Sequence, residues 1–313
     1  MLCLVVDLTK KCECGRPAIL YRKYEGRYYC DHCLSKQVER NFKKTIGINR
    51  LIEKNDRICV ALSGGKDSSS LLYLFWKVFR NRKDLKIFAL IIDEGIGNYR
   101  KKCIKKAEKL CENLNIKLHK TSFKKEIGVT IDKIAKKTTK TCTYCGVFKR
   151  YLLNKKAREL GATKLAVAHN LDDEAQAIIM NVIRCDLKRF ERLGPMPGII
   201  RDKKFVPRIK PLRNIHEKEL YLYATVHKLP FSKRHCPYSK DNVRRDVRTL
   251  IDNIEEKYPG TKIQIVKFYD AIIKRIKIKK KGKLKHCKEC GEPTNQEICK
   301  TCELLKKIKL KKI

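Results

Sequence analysis

The sequence predicts an α/β protein, a doubly wound parallel sheet flanked by N- and C-terminal zinc-ribbon-like modules. Three observations predict it. Short apolar runs of strand character alternate with helical stretches through the middle of the chain, and each crossover is long enough for a parallel connection. A glycine turn, SGGKDS (63–68), joins the first strand to the helix after it. Cysteines two residues apart recur towards both ends, a spacing that suits metal thiolates.

In chain order, residues 1–35 form a Cys-rich module too small to hold together without metal. A charged helical stretch, Arg40–Lys54, leads into the buried strand RICVAL (57–62) and then, past the turn, into the helical SSLLYLFWKVFRN. LKIFALII (85–92) is a second buried strand ending at Asp93-Glu94-Gly95, and residues 99–114 alternate as an exposed helix does. Residues 116–123 and 164–168 read as further strands, and 150–160 and 172–184 as helices. Such a sheet binds ligands at the carboxyl ends of its strands. After Gly194-Pro195-Met196-Pro197-Gly198 the composition shifts towards loops through RIKPL (208–212), then helices to about residue 275. A basic linker, Lys277–Lys285, precedes a second Cys-rich module with a Lys-rich tail. The expected division is 1–35, 36–275 and 276–313.

Lys and Arg total 75 against 34 Asp and Glu, a formal charge of +41. Such an excess points to a polyanionic partner, nucleic acid or an anionic membrane. No apolar run approaches the ~20 residues that span a bilayer, and the apolar part of MLCLVVDLTKK is too short for a secretory signal. The expectation is a soluble cytoplasmic protein with no membrane partner. Of sixteen cysteines, eleven fall into three groups: Cys12, Cys14, Cys30 and Cys33; Cys142, Cys145 and Cys236; Cys287, Cys290, Cys299 and Cys302. In a long chain of intracellular character this grouping indicates metal sites rather than a disulfide framework. Cys287, Cys290, Cys299 and Cys302 have zinc-ribbon spacing. Cys12 and Cys14 have one residue between them where a knuckle usually has two, so Cys3 or His32 stands as a substitute for Cys12.

SGGKDS sits where free amides and the positive end of a helix favour an anion. Its glycines allow close backbone approach and Ser63 and Ser68 add hydroxyls, while the spacing is not that of a Walker loop. The motif resembles the pyrophosphate loop of the PP-loop ATPases, which split ATP into AMP and pyrophosphate while adenylating a substrate. The resemblance implies pyrophosphate binding by Ser63, Gly64, Gly65, Lys66, Asp67 and Ser68, with adenine and ribose near Asp93 and Glu94. TCTYCGVFKR (141–150), AHNLDDEAQ (168–176) and RHCPYS (234–239), framed by both Cys modules, narrow it further. In order and extent this set resembles the tRNA 2-thiouridine synthetases of the TtcA/TtuA group, in the archaeal and eukaryotic-type branch.

What the resemblance implies is an ATP-dependent tRNA uridine thiolase, with residues 36–275 as the catalytic domain. A lysine after the cysteine pair and an acid in AHNLDDEAQ would be catalytic, mapping to Lys149 and Asp173. His169 and Asp172 fall with the nucleotide or Mg²⁺ site, although acids at a helix start also serve as ordinary caps. At Cys142, Cys145 and Cys236 three readings stand: a further zinc site completed by His235 or His227, a redox or persulfide dithiol, and a 4Fe-4S cluster on three cysteines with one iron open, which the resemblance favours. An open iron can bind hydrosulfide and present it as a nucleophile, as a metal does for water. Implied cofactors are ATP, Mg²⁺, the cluster and two Zn²⁺. Implied partners are tRNA and a sulfur source, either free sulfide or a ubiquitin-like carrier protein, and the group commonly forms homodimers. The basic surface would grip tRNA by backbone and shape, and the target base must leave its stack. Other PP-loop tRNA modifiers of the thiocytidine or lysidine type, and a non-catalytic zinc-ribbon RNA-binding protein, are the competing functions.

Overall fold

A computed structural model describes residues 9–197, 202–239, 243–276 and 285–308. Cys3, Gly198, linker residues 277–284 and tail residues 309–313 lie outside the described residues. The N-terminal module is a hairpin of β1 (Leu20–Arg22) and β2 (Arg27–Tyr29), followed by α1 (Asp31–Ile48). Then come β3 (Arg57–Ala61), α2 (Lys66–Phe79), β4 (Lys86–Asp93), α3 (Gly97–Leu114), β5 (Leu118–Ser122), α4 (Phe123–Ile127) and α5 (Ile131–Ala135). The chain continues with α6 (Thr141–Glu159), β6 (Lys164–Ala166), α7 (Leu171–Ile183), α8 (Leu187–Phe190) and β7 (Arg208–Ile209). Helices α9 (Glu217–Val226), α10 (Val243–Lys257) and α11 (Thr261–Arg275) precede the C-terminal β8 (Lys285–His286), β9 (Pro293–Thr294) and α12 (Lys300–Lys307).

Strands β3 to β7 form one parallel sheet in the order β5-β4-β3-β6-β7. The order reverses between β3 and β6, and a crevice at that switch point is where such sheets take their ligands. Alternation decides which residues cover which face. Ile58, Val60, Ala89 and Ile91 face the main core with Leu34, Val38 and Phe42 of α1, Leu71 and Phe75 of α2, Leu110 of α3 and Tyr223 of α9. Cys59, Phe88, Leu90 and Leu165 face the other way, against Ala157 of α6 and Val206. Burial on both faces explains why these strands read as continuous apolar runs.

The end modules are docked onto this sheet. Arg22, 3% exposed, lies 2.9 Å from Glu219 of α9. At the other end Leu304, Leu305 and Ile308 join Phe123, Tyr144, Phe148 and Leu152 in a second core, so the C-terminal module rests on α6. Arg158 pairs with Glu292, and Lys204 donates to the Gly291 carbonyl at 2.7 Å. Among the described residues, no helix is long and apolar enough to cross a membrane.

Three elements differ from the sequence expectation. Helix α1 begins at Asp31 rather than Arg40, because the Cys30 sulfur caps it by accepting from the Cys33 amide at 3.4 Å. It therefore crosses residue 35 without a break. Helix α6 spans Thr141–Glu159 rather than 150–160 alone, and so starts at the cysteine pair, where a helix beginning is expected. Residues 208–209, read as loop, form the fifth strand.

Candidate functional site

The SGGKDS turn closes on itself. Ser63 and Ser68 hydroxyls lie 2.9 Å apart, the Ser68 hydroxyl accepts from the Ser63 amide at 3.1 Å, and Ser68 donates to the Gly65 carbonyl at 3.0 Å. Gly64 has φ +80°, and a Cβ there would stand 2.2 Å from the Cys103 carbonyl oxygen, so the position requires glycine. No side chain caps the start of α2 at Gly65. Its first amides are therefore available to an anion. Lys66 reaches Asp67 at 2.9 Å and Glu217, from the first turn of α9, at 2.6 Å.

At the end of β6 the residues His169 to Asp173 face this loop across the switch point. Asn170 and Asp173 form a reciprocal cap: Asp173 N–H donates to Asn170 Oδ1 at 3.0 Å, and Asn170 N–H to Asp173 Oδ2 at 3.3 Å. Burial pushes the Asp67 carboxyl up to about 6 against the pull of Lys66, with the charges of Glu217 and Asp173 adding to it. Burial likewise raises Asp173, against the attraction of Arg244. These carboxylates repel one another in a partly dry crevice, a setting that a divalent cation relieves. His169 is open to solvent yet desolvated by the protein around it, as a side chain inside a crevice is. That desolvation and the charges of Lys210, Arg244 and Arg208 push it down to about 4, so it is neutral at pH 7. Asp172 is occupied elsewhere: it accepts from the Glu217 amide at 2.8 Å and pairs with Lys262 at 2.5 Å, bracing α7 against α9 and α11. Asp93 accepts from the Gly95 amide at 2.8 Å and fixes the turn that ends β4.

The three central cysteines meet on the α6 side of the same edge. Cys142 and Cys145 lie on the first turn of α6, and Cys236 arrives on the loop after Phe231. That loop is held at both ends. The Ser232 amide donates to the Gly64 carbonyl at 2.9 Å, and the Tyr238 hydroxyl donates to Asp132 at 2.8 Å, whose other oxygen accepts from the Gly97 amide. The Cys142 thiol in turn donates to the Tyr238 carbonyl at 3.1 Å. Burial raises Cys145 to about 11 and also raises Cys236; Cys145 feels the charge of Lys149, Cys236 and Cys142, and Cys236 that of Cys142 and Lys149. His227, considered above as a ligand, is engaged elsewhere, with Tyr73 and Ser35.

Lys149 is tied back to the SGGKDS loop through two residues that sequence reasoning did not single out for this. Its ammonium lies 2.5 Å from Glu94, and the other oxygen of Glu94 lies 2.5 Å from Arg100 Nε. Arg100 also donates to the Ser63 carbonyl at 2.6 Å and to the Ile92 carbonyl at 2.6 and 3.1 Å. Glu94 and Arg100 are 3% and 4% exposed. Burial opposes the charge on Lys149, but Glu94 and Cys145 outweigh it and hold the ammonium above its ordinary value.

The terminal cysteines form two compact sets. The sulfurs of Cys12, Cys14, Cys30 and Cys33 lie within 4.8 Å of one another, as do those of Cys287, Cys290, Cys299 and Cys302. Cys14 and Cys30 are 3.5 Å apart, and Cys290 and Cys299 3.6 Å. A disulfide needs about 2.05 Å, whereas tetrahedral zinc at about 2.3 Å from each sulfur sets them roughly 3.8 Å apart. Cys12 rather than His32 completes the first set. Gly15 at φ +84° turns the short knuckle back, with its amide donating to the Cys12 carbonyl at 2.8 Å. Cys142, Cys145 and Cys236 stand farther apart than these compact sets.

Residues 34–254 match the family of PP-loop domains. The chain is 37% identical over 309 residues to a Methanocaldococcus jannaschii protein named probable sulfurtransferase, covering 96% of this chain and 88% of that one. It is 34% identical over 314 residues to the tRNA 2-thiolation protein NcsA of Haloferax volcanii, covering 95% and 98%. Among solved structures, the U34-tRNA thiolase NcsA from Methanococcus maripaludis with its 4Fe-4S cluster aligns with a TM-score of 0.84 at 35% identity, over 100% of this chain and 99% of that one.

Proposed function

This chain belongs to the PP-loop family, in its tRNA 2-thiolation branch, and from that premise we infer that it replaces the C2 oxygen of a tRNA uridine with sulfur at the expense of ATP. The observation that carries the reading is the physical union of two sites. The nucleotide loop and the cysteine loop share a hydrogen bond, Ser232 to Gly64, and Lys149 is joined to Ser63 through Glu94 and Arg100.

The chemistry requires both. The C2 carbonyl of uracil is a poor electrophile with a poor leaving group. Transfer of AMP from ATP to O2 releases pyrophosphate. Attack of sulfide at C2 then expels AMP, which carries the former O2 away. Ser63, Gly64, Gly65 and Ser68 hold the pyrophosphate portion, and the amides at the start of α2 face its charge. Lys66 neutralises phosphate charge on leaving Asp67 and Glu217. Asp67 and Asp173 hold Mg²⁺, and neutral His169 and the turn at Asp93 line the pocket for base and ribose. Asp172 braces the helix that presents Asp173. Lys149, charged beside Glu94, stabilises negative charge that develops on the uracil oxygen. Three thiolates, Cys142, Cys145 and Cys236, suit a 4Fe-4S cluster, which supplies when bound an open iron that takes up and activates sulfide. The terminal sets hold Zn²⁺ and, with the surrounding basic surface, bind tRNA.

Anaerobic reconstitution with iron and sulfide, followed by thiolation of tRNA transcripts and nucleoside mass spectrometry, tests this. The expected result is ATP-dependent 2-thiouridine whose yield follows iron content, and loss of both in Cys236→Ala. Full activity in iron-free protein would overturn the cluster role, and pyrophosphate release without any thionucleoside would overturn the thiolase reading.

A further inference from the structure

Arginines converge at the carboxyl edge of the sheet on its α6 side. Alternation along β7 sets Arg208 on the same face as Val206, which packs with Ala157 of α6 and Leu165 of β6. Helix α6 leads into β6 and so runs back against the strand direction. Moving from Val206 to Arg208 advances roughly 7 Å towards the carboxyl edge. Moving from Ala157 to Arg150, two turns earlier on α6, covers roughly 10 Å the same way. The two side chains therefore share this side of the β6–β7 edge, and the charge of Arg150 acts on Arg208.

Arg189 and Arg244 add their charge at Arg150. They have acids to answer to, Asp186 at 3.2 Å and Asp173 at 3.9 Å. Among the described residues Arg150 and Arg208 have no ion pair or side-chain hydrogen bond. Arg150 folds back over the cysteine turn, with Nη1 3.2 Å from where a Cβ on Gly146 would be. Arg208 lies near His169. Arg208 is half-buried and Arg150 exposed, so two like charges stand without a counter-ion at an open edge, and their planar forks match phosphate oxygens. The SGGKDS loop leads into α2, which packs on the main core, whereas α6 packs on the other side.

We propose that Arg150 and Arg208 clamp one backbone phosphate of the tRNA beside the uridine that enters between Cys145 and His169. The proposal rests on the thiolase reading and says where the substrate strand lies within it. A phosphate fixed there orients the extruded base towards both the activating and the sulfur-bearing side of the crevice.

The test is tRNA binding by the full chain across a salt series, for wild type, Arg150→Gln, Arg208→Gln, the double variant and the matching lysine variants, with ATP binding measured in parallel. The double glutamine variant should reduce the steepness of log affinity against log salt by about 1, the share of the one clamped phosphate, and each single glutamine by no more than that. The lysines should keep most of the slope, and ATP affinity should stay at the wild-type value. The glutamine variants should melt no lower than wild type, since they relieve repulsion. An unchanged slope in the double variant would overturn the clamp, as would lost ATP affinity with the tRNA slope intact. Failure of wild type to bind tRNA at all would instead strike the thiolase reading itself.

Discussion

Glu94→Gln keeps the shape of the side chain and removes one charge from the most buried electrostatic junction at the site. Wild-type Glu94 meets Lys149 with one oxygen and Arg100 with the other, each at 2.5 Å. Arg100 keeps its carbonyl acceptors at Ile92 and Ser63 in the variant, so what it loses is its counter-charge in a buried position. Removing one partner of a buried pair costs about 3–5 kcal/mol. The lower end applies because Lys149, 40% exposed, can turn towards water while Arg100 cannot. About 3 kcal/mol in a unit of this size lowers the melting temperature by about 6–12 °C. Lys149→Met removes the exposed partner and leaves the Glu94–Arg100 pair, so it should melt close to wild type while losing thiolation. The double variant should be no less stable than Glu94→Gln alone. A Glu94→Gln protein that melts with wild type would refute the claim that this carboxylate holds Arg100 and Lys149 together.

Asp67→Asn should stabilise the protein while abolishing activity. The carboxyl of Asp67 sits at about 6 in the fold against 3.8 ordinarily, so its charged form is unfavourable there by on the order of 3 kcal/mol at pH 7. Because the folded value is the higher one, the wild type is favoured below the unfolded value and loses that stability as pH rises through 6. The melting advantage of the variant should therefore vanish near pH 4, and equal melting at pH 7 would contradict it. Gly64→Ala must adopt a left-handed backbone, at about 1–3 kcal/mol, and push the Cys103 carbonyl aside. Denaturant unfolding and ATP titration should show loss in both. On the proposed reading the chain should carry two zinc ions by elemental analysis, and Cys302→Ala should leave one and open the segment of Leu304 and Leu305, packed on α6, to protease.

The parallel sheet was legible because its strands are buried on both faces, which leaves RICVAL and LKIFALII as unbroken apolar runs. Strand β7 was not, since two residues carry no period and its pairing to β6 depends on tertiary contacts. Cys142 and Cys145 announced themselves by spacing at a helix start. Cys236 did so only through family resemblance, because what delivers it is a loop pinned by Ser232 and Tyr238. Arg100, Glu217 and Lys262, and the pairing of Glu94 with Lys149, were hidden for a different reason. In a chain with 75 lysines and arginines, a buried arginine looks like one more solvated cation until its carbonyl acceptors are seen. The irregular knuckle at Cys12 misled in the opposite direction, because Gly15 supplies by its positive φ the turn that a second intervening residue usually gives.

Two consecutive carbonyls of the nucleotide loop carry the coupling between the halves of the site. The Ser63 carbonyl accepts from Arg100, whose charge fixes Glu94 and through it Lys149. The Gly64 carbonyl accepts from Ser232, four residues before Cys236. Gly64 must be left-handed for its carbonyl to point that way, and the close approach of Cys103 from α3 holds it there. On the proposed reading, a phosphate that takes the Gly65 amide from the Ser63 hydroxyl, which holds it at 3.3 Å, acts on peptide groups whose opposite ends hold the lysine and the third cysteine. On the same reading, nucleotide binding and sulfur delivery share a backbone segment of two residues, so a loop that has lost its shape disables both halves. An uncoupled arrangement would let adenylation proceed without a positioned sulfur ligand, wasting the activated base to hydrolysis.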